Sequence, residues 1–404
     1  MSKAKVDAEL ARGDERSIIG LVNNLIEYAE SARASDIHID PNDQGLRVRF
    51  RIDGVMQEIY ALPKTVQHEI VSRIKVLAGM RTDEHQAAQD GRFRLVLPDI
   101  GPVDIRVSTA PTYFGENAVL RLLSDKAEQH TLESLGFSST DKKKVLDAVK
   151  KSHGMILATG PTGSGKTTTL YSILKLLNTS DVSIITIEDP IEYAIENIEQ
   201  IQVNARTGLT FANGLRSILR QDPDIIMVGE IRDLETAGIA INTALTGHLL
   251  LSTLHTSDAA TTLPRLLDMK VEPFLVASTV NVAIGQRLVR QICNECKTMV
   301  ALNDEEQTSL NASLPPSYAD KLISVPRGRG CDACNKTGFR GRVGINEVMV
   351  VDHDIREAIL RKASAADLKR IAVNNGMTTM LEDGCAKVLA GKTTIEEVLR
   401  VVHD

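Results

Sequence analysis

Tryptophan is absent from this sequence, and aromatic residues make up only 3% of its 404 residues. Proteins that bind single-stranded nucleic acid usually stack the bases on aromatic side chains, so this scarcity counts against such a role. The net charge of −6 also counts against a surface that coats nucleic acid, while leaving room for a local basic patch. Composition and charge therefore count against a protein whose main task is to bind nucleic acid.

Long apolar runs are also missing. The sequence has no stretch of about 18 apolar residues that could span a bilayer. Residues 1–16 are polar and charged, without the apolar core of a signal peptide. We therefore expect a cytoplasmic protein, in which the five cysteines are thiols or metal ligands rather than structural disulfides. The chain length predicts two or three domains.

A small α+β domain is predicted over residues 17–125, after a flexible lead-in at residues 1–16. Apolar residues recur at helical spacing from Ile18 to Ala32, and the alternation from Leu46 to Ile52 predicts a strand with a basic outer face. Arg106 and Arg121 fall on further predicted strands. Their spacing alone favours an ordinary solvated role, because charged strand faces are usually just hydrated.

A glycine-rich motif with the spacing G-x-x-x-x-G-K-T lies between a predicted strand at residues 155–159 and a predicted helix at residues 168–177. This context directs backbone N–H groups and a helix N-terminus toward a chain of phosphates. Lys166 is predicted to reach the terminal phosphates and Thr167 to ligate Mg²⁺. A glycine-rich loop without a ligand is the alternative. The predicted nucleotide-binding residues are Gly160, Pro161, Thr162, Gly163, Ser164, Gly165, Lys166, Thr167 and Thr168.

Strands and helices alternate after this motif, which predicts a parallel sheet. Glu188 ends one apolar strand and Glu230 ends another, where an acid can act on the metal and on the attacking water. The alternative for Glu230 is a surface ion pair. His248 and His255 flank the apolar strand between them; a structural role is the usual one for a lone histidine, but two flanking one strand favour function.

Two C-x₂-C pairs are formed by Cys293 with Cys296 and by Cys331 with Cys334, and 34 residues lie between the pairs. Four thiolates on two tight knuckles predict a closed, structural zinc site. A redox role is the alternative, but neither pair has a strand-to-helix redox context. Cys385 stands alone and is expected to be a buried apolar residue.

The order of the motifs is more specific than any one of them. It resembles that of the secretion ATPases, the family of the type II secretion ATPase and the type IV pilus assembly ATPase. The segments that carry the resemblance are residues 160–171, Ile187-Glu188-Asp189-Pro190-Ile191-Glu192, residues 215–224, Gly229-Glu230-Ile231-Arg232-Asp233, and residues 246–256, with residues 34–39 and 104–109 in the first domain. The cysteine pairs are typical of the secretion and pilus-extension members rather than of the retraction members.

The resemblance implies an α/β fold with a RecA-like P-loop domain, a PAS-like N-terminal domain and a C-terminal Cys₄ insertion followed by helices. It implies that Arg106 and Arg121 reach nucleotide phosphates, that Arg216 and Arg220 serve the second domain's nucleotide site, and that His248 and His255 form the family's histidine box. The sequence departs from the family pattern at residues 85–88 and at Asn117. Relatives also carry a further N-terminal docking domain, so we expect a truncated or a short natural member.

The expected activity is Mg²⁺-dependent ATP hydrolysis by a homo-hexamer that drives pilus or pseudopilus assembly. Its expected partners are an inner-membrane platform and cytoplasmic adaptor proteins, so that association with the inner membrane is peripheral and no direct nucleic-acid contact is needed. A motor for DNA uptake or conjugation is the alternative. The remaining expected boundaries are a linker at 126–138, an ATPase core at 139–290, a Cys₄ subdomain at 291–345 and a helical subdomain at 346–404.

Overall fold

The structure is a computed structural model that describes residues 2–98, 100–123, 130–303 and 324–403, together with residues 305, 307, 314 and 318. The side chain of residue 403 is outside this description. The chain divides into two compact units, residues 1–128 and residues 129–404. Both combine helices with sheets, so the predicted α/β class is confirmed.

The first unit is a six-stranded antiparallel sheet covered by helices. Its strand order is β3-β2-β1-β6-β5-β4. Buried side chains such as Phe50 and Leu120 on the sheet pack with Leu25 of α2 and Ile74 of α3 in one core. The elements are α1 (Ser2–Leu10), α2 (Ile18–Ser31), β1 (Ala34–Pro41), β2 (Gly45–Ile52), β3 (Val55–Pro63), α3 (Gln67–Leu77), β4 (Gln89–Leu97), β5 (Gly101–Thr112) and β6 (Gly115–Leu123).

The expected flexible lead-in is wrong for residues 2–10, which form α1. Val6 is fully buried in the core of this unit. Tyr60 donates a hydrogen bond to Asp7 at 2.7 Å, which ties α1 to β3. A single buried apolar side chain is too little to produce a helical pattern in the sequence, and the helix owes its place to these tertiary contacts.

The second unit is built on a seven-stranded sheet in the order β15-β12-β7-β11-β10-β8-β9. The neighbours from β12 to β9 are parallel, and β15 runs antiparallel to β12 at one edge. The strands are β7 (Gly154–Thr159), β8 (Ile184–Glu188), β9 (Glu199–Gln202), β10 (Ile225–Val228), β11 (Leu249–Leu254), β12 (Val280–Ile292) and β15 (Phe339–Val350), and a separate two-stranded sheet pairs β13 (Lys297–Ala301) with β14 (Ser324–Gly328).

Helices cover the large sheet. All residues of β7, β10 and β11 are buried, as expected for short apolar strands that have helices on both faces. The helices are α4 (Ser139–Val149), α5 (Lys166–Leu177), α6 (Phe211–Ile218), α7 (Leu234–Leu245), α8 (Ala259–Asp268), α9 (Pro273–Thr279), α10 (His353–Leu360), α11 (Ala365–Asn374), α12 (Met380–Leu389) and α13 (Ile395–His403).

Two expected boundaries differ from the structure. Leu132, Leu135 and Phe137 are buried in the second unit's core, so residues 130–138 are not a free linker, and residues 126–129 lie outside the described residues. Residues 339–345 belong to β15, which pairs with β12 in the large sheet rather than forming part of a separate metal subdomain. The apolar pattern of both segments is compatible with either arrangement, because it shows which residues are buried but not which part of the chain they pack against.

The last helix is attached to the sheet by a buried carboxylate. Glu397 of α13 accepts hydrogen bonds from Arg290 at 2.7 Å and from Arg400 at 2.8 Å, and it is 3% exposed. Burial acts to raise the pKa of Glu397, but the two guanidinium groups and the Arg290 backbone outweigh it and lower the pKa to about 2. Strand β12 and helix α13 are thus held together by a charge-assisted network.

We predict that this network makes the attachment of α13 sensitive to acid. A pKa that is lower in the folded protein than its ordinary value of 4.5 adds stability above pH 4.5, and this stability is lost as the pH falls toward 2. The shift corresponds to about 3 kcal/mol. In Glu397→Gln, the protection of α13 amides against hydrogen exchange should therefore be lower at neutral pH, and the protection factors should depend little on pH in this window. The control is Glu396→Gln, which removes a more exposed ion pair with Arg327 and should behave like the unaltered protein.

Candidate nucleotide and metal sites

The glycine-rich motif forms the loop between β7 and α5, as its spacing predicts. Gly160 has a φ of +145°, and a Cβ atom there would lie 2.4 Å from the backbone oxygen of Gln286. Gly165 has a φ of +90° directly before the first residue of α5. Both positions thus require glycine, and the loop leads into a helix N-terminus that favours anions.

Lys166 is the first residue of α5 and is only 8% exposed. Its Nζ donates hydrogen bonds to the carbonyl oxygens of Gly160 and Pro161, each at 2.9 Å. Burial lowers the pKa of Lys166 to about 8; nearby Glu230 opposes the shift, and nearby Arg287 adds to it. The ammonium group is thus held inside the loop, where it can meet phosphate oxygens.

The acid predicted at the tip of β10 lies at the same edge of the sheet as this loop. Glu230 is 8% exposed, and its Oε2 lies 2.6 Å from Nε of Arg232 and 3.2 Å from Nε2 of His255. Strand β11, which ends just before His255, pairs in parallel with both β10 and β7. The carboxyl ends of these strands therefore bring Glu230, His255 and Lys166 to one crevice.

Glu188, at the end of β8, has a different environment. It is 2% exposed, and its Oε1 accepts hydrogen bonds from Thr186 at 2.6 Å and from Gln200 at 3.1 Å. Its Oε2 accepts a hydrogen bond from the hydroxyl of Tyr171 on α5. Burial raises the pKa of Glu188, while these three donors act in the opposite direction. This carboxylate ties β8 to the helix that follows the phosphate loop, and its action on metal and water stays a prediction.

The two histidines of the predicted pair lie at opposite ends of β11. His248 precedes the strand, and its Nδ1 lies 3.2 Å from the carbonyl oxygen of Thr243 at the end of α7. With a rise of about 3.3 Å per residue, the seven steps from His248 to His255 separate the two backbones by about 23 Å. Within one chain, His255 therefore faces Glu230 and His248 does not share that crevice.

Arg216 and Arg220 lie at the end of α6 and just beyond it. Arg216 pairs with Glu235 on α7 at 2.6 Å, and Arg220 donates to the backbone oxygen of Arg216 at 2.9 Å. The hydrogen bonds of these two arginines are to residues of α6 and α7, and their expected contact with nucleotide stays a prediction.

Arg106 and Arg121 lie in the first unit and are direct partners in the register of β5 and β6. Cross-strand partners share one face of a sheet. Arg121 also pairs with Asp36 of β1, its Nε lying 3.0 Å from the carboxylate. The two arginines therefore stand side by side on the polar face of this sheet, and their nucleotide role remains a prediction.

The four predicted zinc ligands form one cluster in the second unit, with all four sulfur atoms within 4.8 Å of one another. The Sγ distances are 3.8 Å for Cys293 to Cys331, 3.9 Å for Cys296 to Cys334 and 3.7 Å for Cys331 to Cys334. These are far longer than a disulfide bond of about 2.05 Å. Four sulfurs placed tetrahedrally at about 2.3 Å from zinc lie about 3.8 Å apart, so the cluster has the dimensions of a zinc site.

Sequence reasoning missed the groups that orient the acids. Tyr171 and Gln200 hold Glu188, and Arg232 contacts Glu230. Arg232 was visible as the arginine two residues after the strand-end acid. For Tyr171 the sequence offers only a hydroxyl on the buried face of a predicted helix, and for Gln200 it offers no indication of a role.

The fold and this crevice define a class: a P-loop ATPase with a parallel sheet of the RecA-like order. The solved structure of the pilus retraction motor PilT with bound ADP has a TM-score of 0.66 to this chain at 27% identity, covering 95% of this chain and 97% of that one. The Legionella pneumophila ATPase DotB shares the fold, with a TM-score of 0.68 at 23% identity over 94% of this chain and 95% of that one.

Sequence comparison gives the family. The sequence profile of the type II/IV secretion system protein family matches residues 11–400, and the chain belongs to this family. The type IV pilus assembly ATPase PilB of Myxococcus xanthus is 46% identical over 396 residues, which are 98% of this chain and 69% of that protein. Type II secretion system protein E of Aeromonas hydrophila is 44% identical over 391 residues, 97% of this chain and 77% of that protein.

Within the described residues, no helix is both long and apolar enough to cross a membrane.

We predict that the hydroxyl of Tyr171 stabilises the joint between β8 and α5. Tyr171→Phe leaves the buried Glu188 carboxylate with one donor fewer, which should cost about 1–3 kcal/mol. Amide hydrogen exchange of β7, β8 and α5 should accelerate. The control is Tyr60→Phe, whose hydroxyl meets the exposed Asp7, and exchange in the second unit should not change. Unchanged exchange in Tyr171→Phe would contradict the assignment.

Proposed function

We propose that this chain hydrolyses ATP with Mg²⁺ to power the assembly of a pilus or of a type II secretion pseudopilus. The observation that carries the proposal is the crevice in which Lys166, Glu230 and His255 meet at the carboxyl ends of adjacent parallel strands. Two relatives that match nearly the whole of this chain are named as a pilus assembly ATPase and as a type II secretion protein.

The residues present suit a nucleotide and its metal ion. Backbone N–H groups of the loop and the Lys166 ammonium would hold the phosphates. The Thr167 hydroxyl and the Glu230 carboxylate are oxygen donors of the kind that Mg²⁺ prefers, and the ion would neutralise charge on the phosphates. Glu230, oriented by Arg232 and His255, would accept a proton from the attacking water.

The arginines of the first unit are proposed to stabilise charge on the transferred phosphoryl group. Arg106 and Arg121 stand next to each other on one sheet face, which would give two planar donors to one anion. Arg216 and Arg220 are proposed to serve the nucleotide site of an assembled ring. Movement of residues 17–125 during the ATP cycle would then supply the mechanical step.

We propose the remaining setting from the family. The chain would act as a homo-hexamer in the cytoplasm, and adaptor and platform proteins of the machine would hold it at the inner membrane. Bound Zn²⁺ would fold the segment around Cys293, Cys296, Cys331 and Cys334, and the closed ligand set gives this metal a structural role. ATP and Mg²⁺ are the other cofactors of the proposal.

Phosphate release by the purified protein tests the site assignment. Lys166→Ala should lose phosphate binding and Glu230→Gln should lose proton transfer, so each should lower turnover at least about a hundredfold. Glu357→Gln changes an exposed acid on α10 and serves as the control with normal turnover. Wild-type rates in both site variants would refute the assignment.

Metal analysis tests the zinc proposal. We expect one zinc ion per chain in the purified protein and a clear loss of zinc in Cys331→Ser, because three thiolates bind the ion more weakly than four. Cys385→Ser alters a buried cysteine outside the cluster and should keep its zinc. A zinc content near zero, with all four cluster thiols titrating as free, would rule the proposal out.

A further inference from the structure

Strand β12 reaches past the end of its neighbour β7. Its pairing with β7 ends at Gly285, which lies opposite Thr159, the last residue of β7. On the β7 side, the next residue of β12, Gln286, therefore lies beside the phosphate loop; on its other side it pairs with Asn346 of β15. Its side chain is fully buried.

Gln286 contacts both ends of the loop. Its backbone oxygen lies so close to Gly160 that a Cβ there would be 2.4 Å away, and its Nε2 would lie 3.0 Å from a Cβ at Gly165. Its Oε1 accepts a hydrogen bond of 2.7 Å from the Thr169 hydroxyl, in the first turn of α5. One residue thus meets the first glycine of the loop, the last glycine, and the helix that follows.

The hydrogen bonding of this amide is incomplete. Nε2 of Gln286 and Oγ of Ser164 are both buried, and neither has a hydrogen-bond partner among the residues that the structure describes. Burying an unpaired polar group costs free energy, and an apolar side chain of the same shape would avoid that cost. An apolar residue at this position would therefore stabilise the fold better than glutamine does. The advantage of glutamine is that its amide can hold the loop and the start of α5 in one arrangement.

We propose that Gln286 is a positioning residue of the nucleotide site: it fixes the phosphate loop and the first turn of α5 through Thr169. This proposal rests on the proposed nucleotide function. The residue would act through the loop and Thr169 rather than as a ligand of the phosphates or the metal. Because β12 also pairs with β15, it anchors the loop to the strand that leads into the C-terminal helices.

The test compares Gln286→Met, which keeps the shape and removes the hydrogen-bonding groups, with Thr169→Val and Thr169→Ser. Binding of a fluorescent ATP analogue, steady-state turnover and thermal unfolding are measured for each variant. We expect Gln286→Met and Thr169→Val to weaken analogue binding about tenfold, the amount expected for one lost hydrogen bond. Thr169→Ser keeps the hydroxyl and should bind like the unaltered protein.

The control is a second buried amide on the same strand. Asn281 is the second residue of β12, where its Nδ2 donates to the carbonyl oxygen of His153 at 2.9 Å. Asn281→Leu should lower the unfolding temperature and leave analogue binding and turnover unchanged. Thermal unfolding thus separates loss of stability from loss of positioning.

The double variant gives an independent outcome. If the Gln286–Thr169 contact positions the loop, Gln286→Met combined with Thr169→Val should bind the analogue no more weakly than Gln286→Met alone. Additive losses would overturn the proposal, and so would normal binding in Thr169→Val. Gln286→Met that lowers only the unfolding temperature, as Asn281→Leu does, would also overturn it.

This result is separable from the proposed function. Analogue binding by the unaltered protein does not require turnover, so a protein that binds but fails to hydrolyse ATP would refute the ATPase proposal and leave the Gln286 test valid. Normal turnover in the unaltered protein with unaffected Gln286→Met and Thr169→Val variants would refute only the positioning role.

Discussion

The in-register parallel pairing of four central strands is the constraint on which the site depends. Strands β7, β11, β10 and β8 run side by side in the same direction, and the first residue of β10 is level with the first residues of both β11 and β8. Parallel strands in this register end at one edge of the sheet. The pairing of these strands therefore places four groups at that edge: the loop after β7, Glu230 after β10, His255 after β11 and Glu188 at the end of β8.

The same constraint explains which parts of the site could be predicted. The phosphate loop is a local motif, so its strand, loop and helix follow from adjacent residues. Glu230 was predictable because an apolar strand leads directly into it. The contact between Glu230 and His255 spans 25 residues and depends on the strand order, which periodicity does not give. His248 and His255 look like a pair in the sequence, but they lie at opposite ends of one extended strand and are therefore far apart.

The acids in this unit are similarly buried, but their electrostatic environments differ although they look alike in the sequence. Glu188 has three neutral side-chain donors and, among the described residues, no charged hydrogen-bond partner, whereas Glu397 is held by two guanidinium groups. The pKa of Glu188 is raised and that of Glu397 is lowered, because neutral donors offset burial less than cations do. Glu230 pairs with the more exposed Arg232. The sequence thus predicts that an acid lies at the end of a strand or near the start of a helix, but only the folded structure shows its electrostatic role.

Strand β12 is thirteen residues long and carries three different attachments along its length. Gln286 touches the phosphate loop, Arg290 holds α13, and Cys293 of the sulfur cluster follows directly after the strand. Seven residues of extended chain separate the first and last of these points, about 23 Å. Over this stretch β12 is extended and pairs with β15 as far as Ile292, so a displacement of β12 along its axis at the nucleotide loop would be carried to the cysteine cluster.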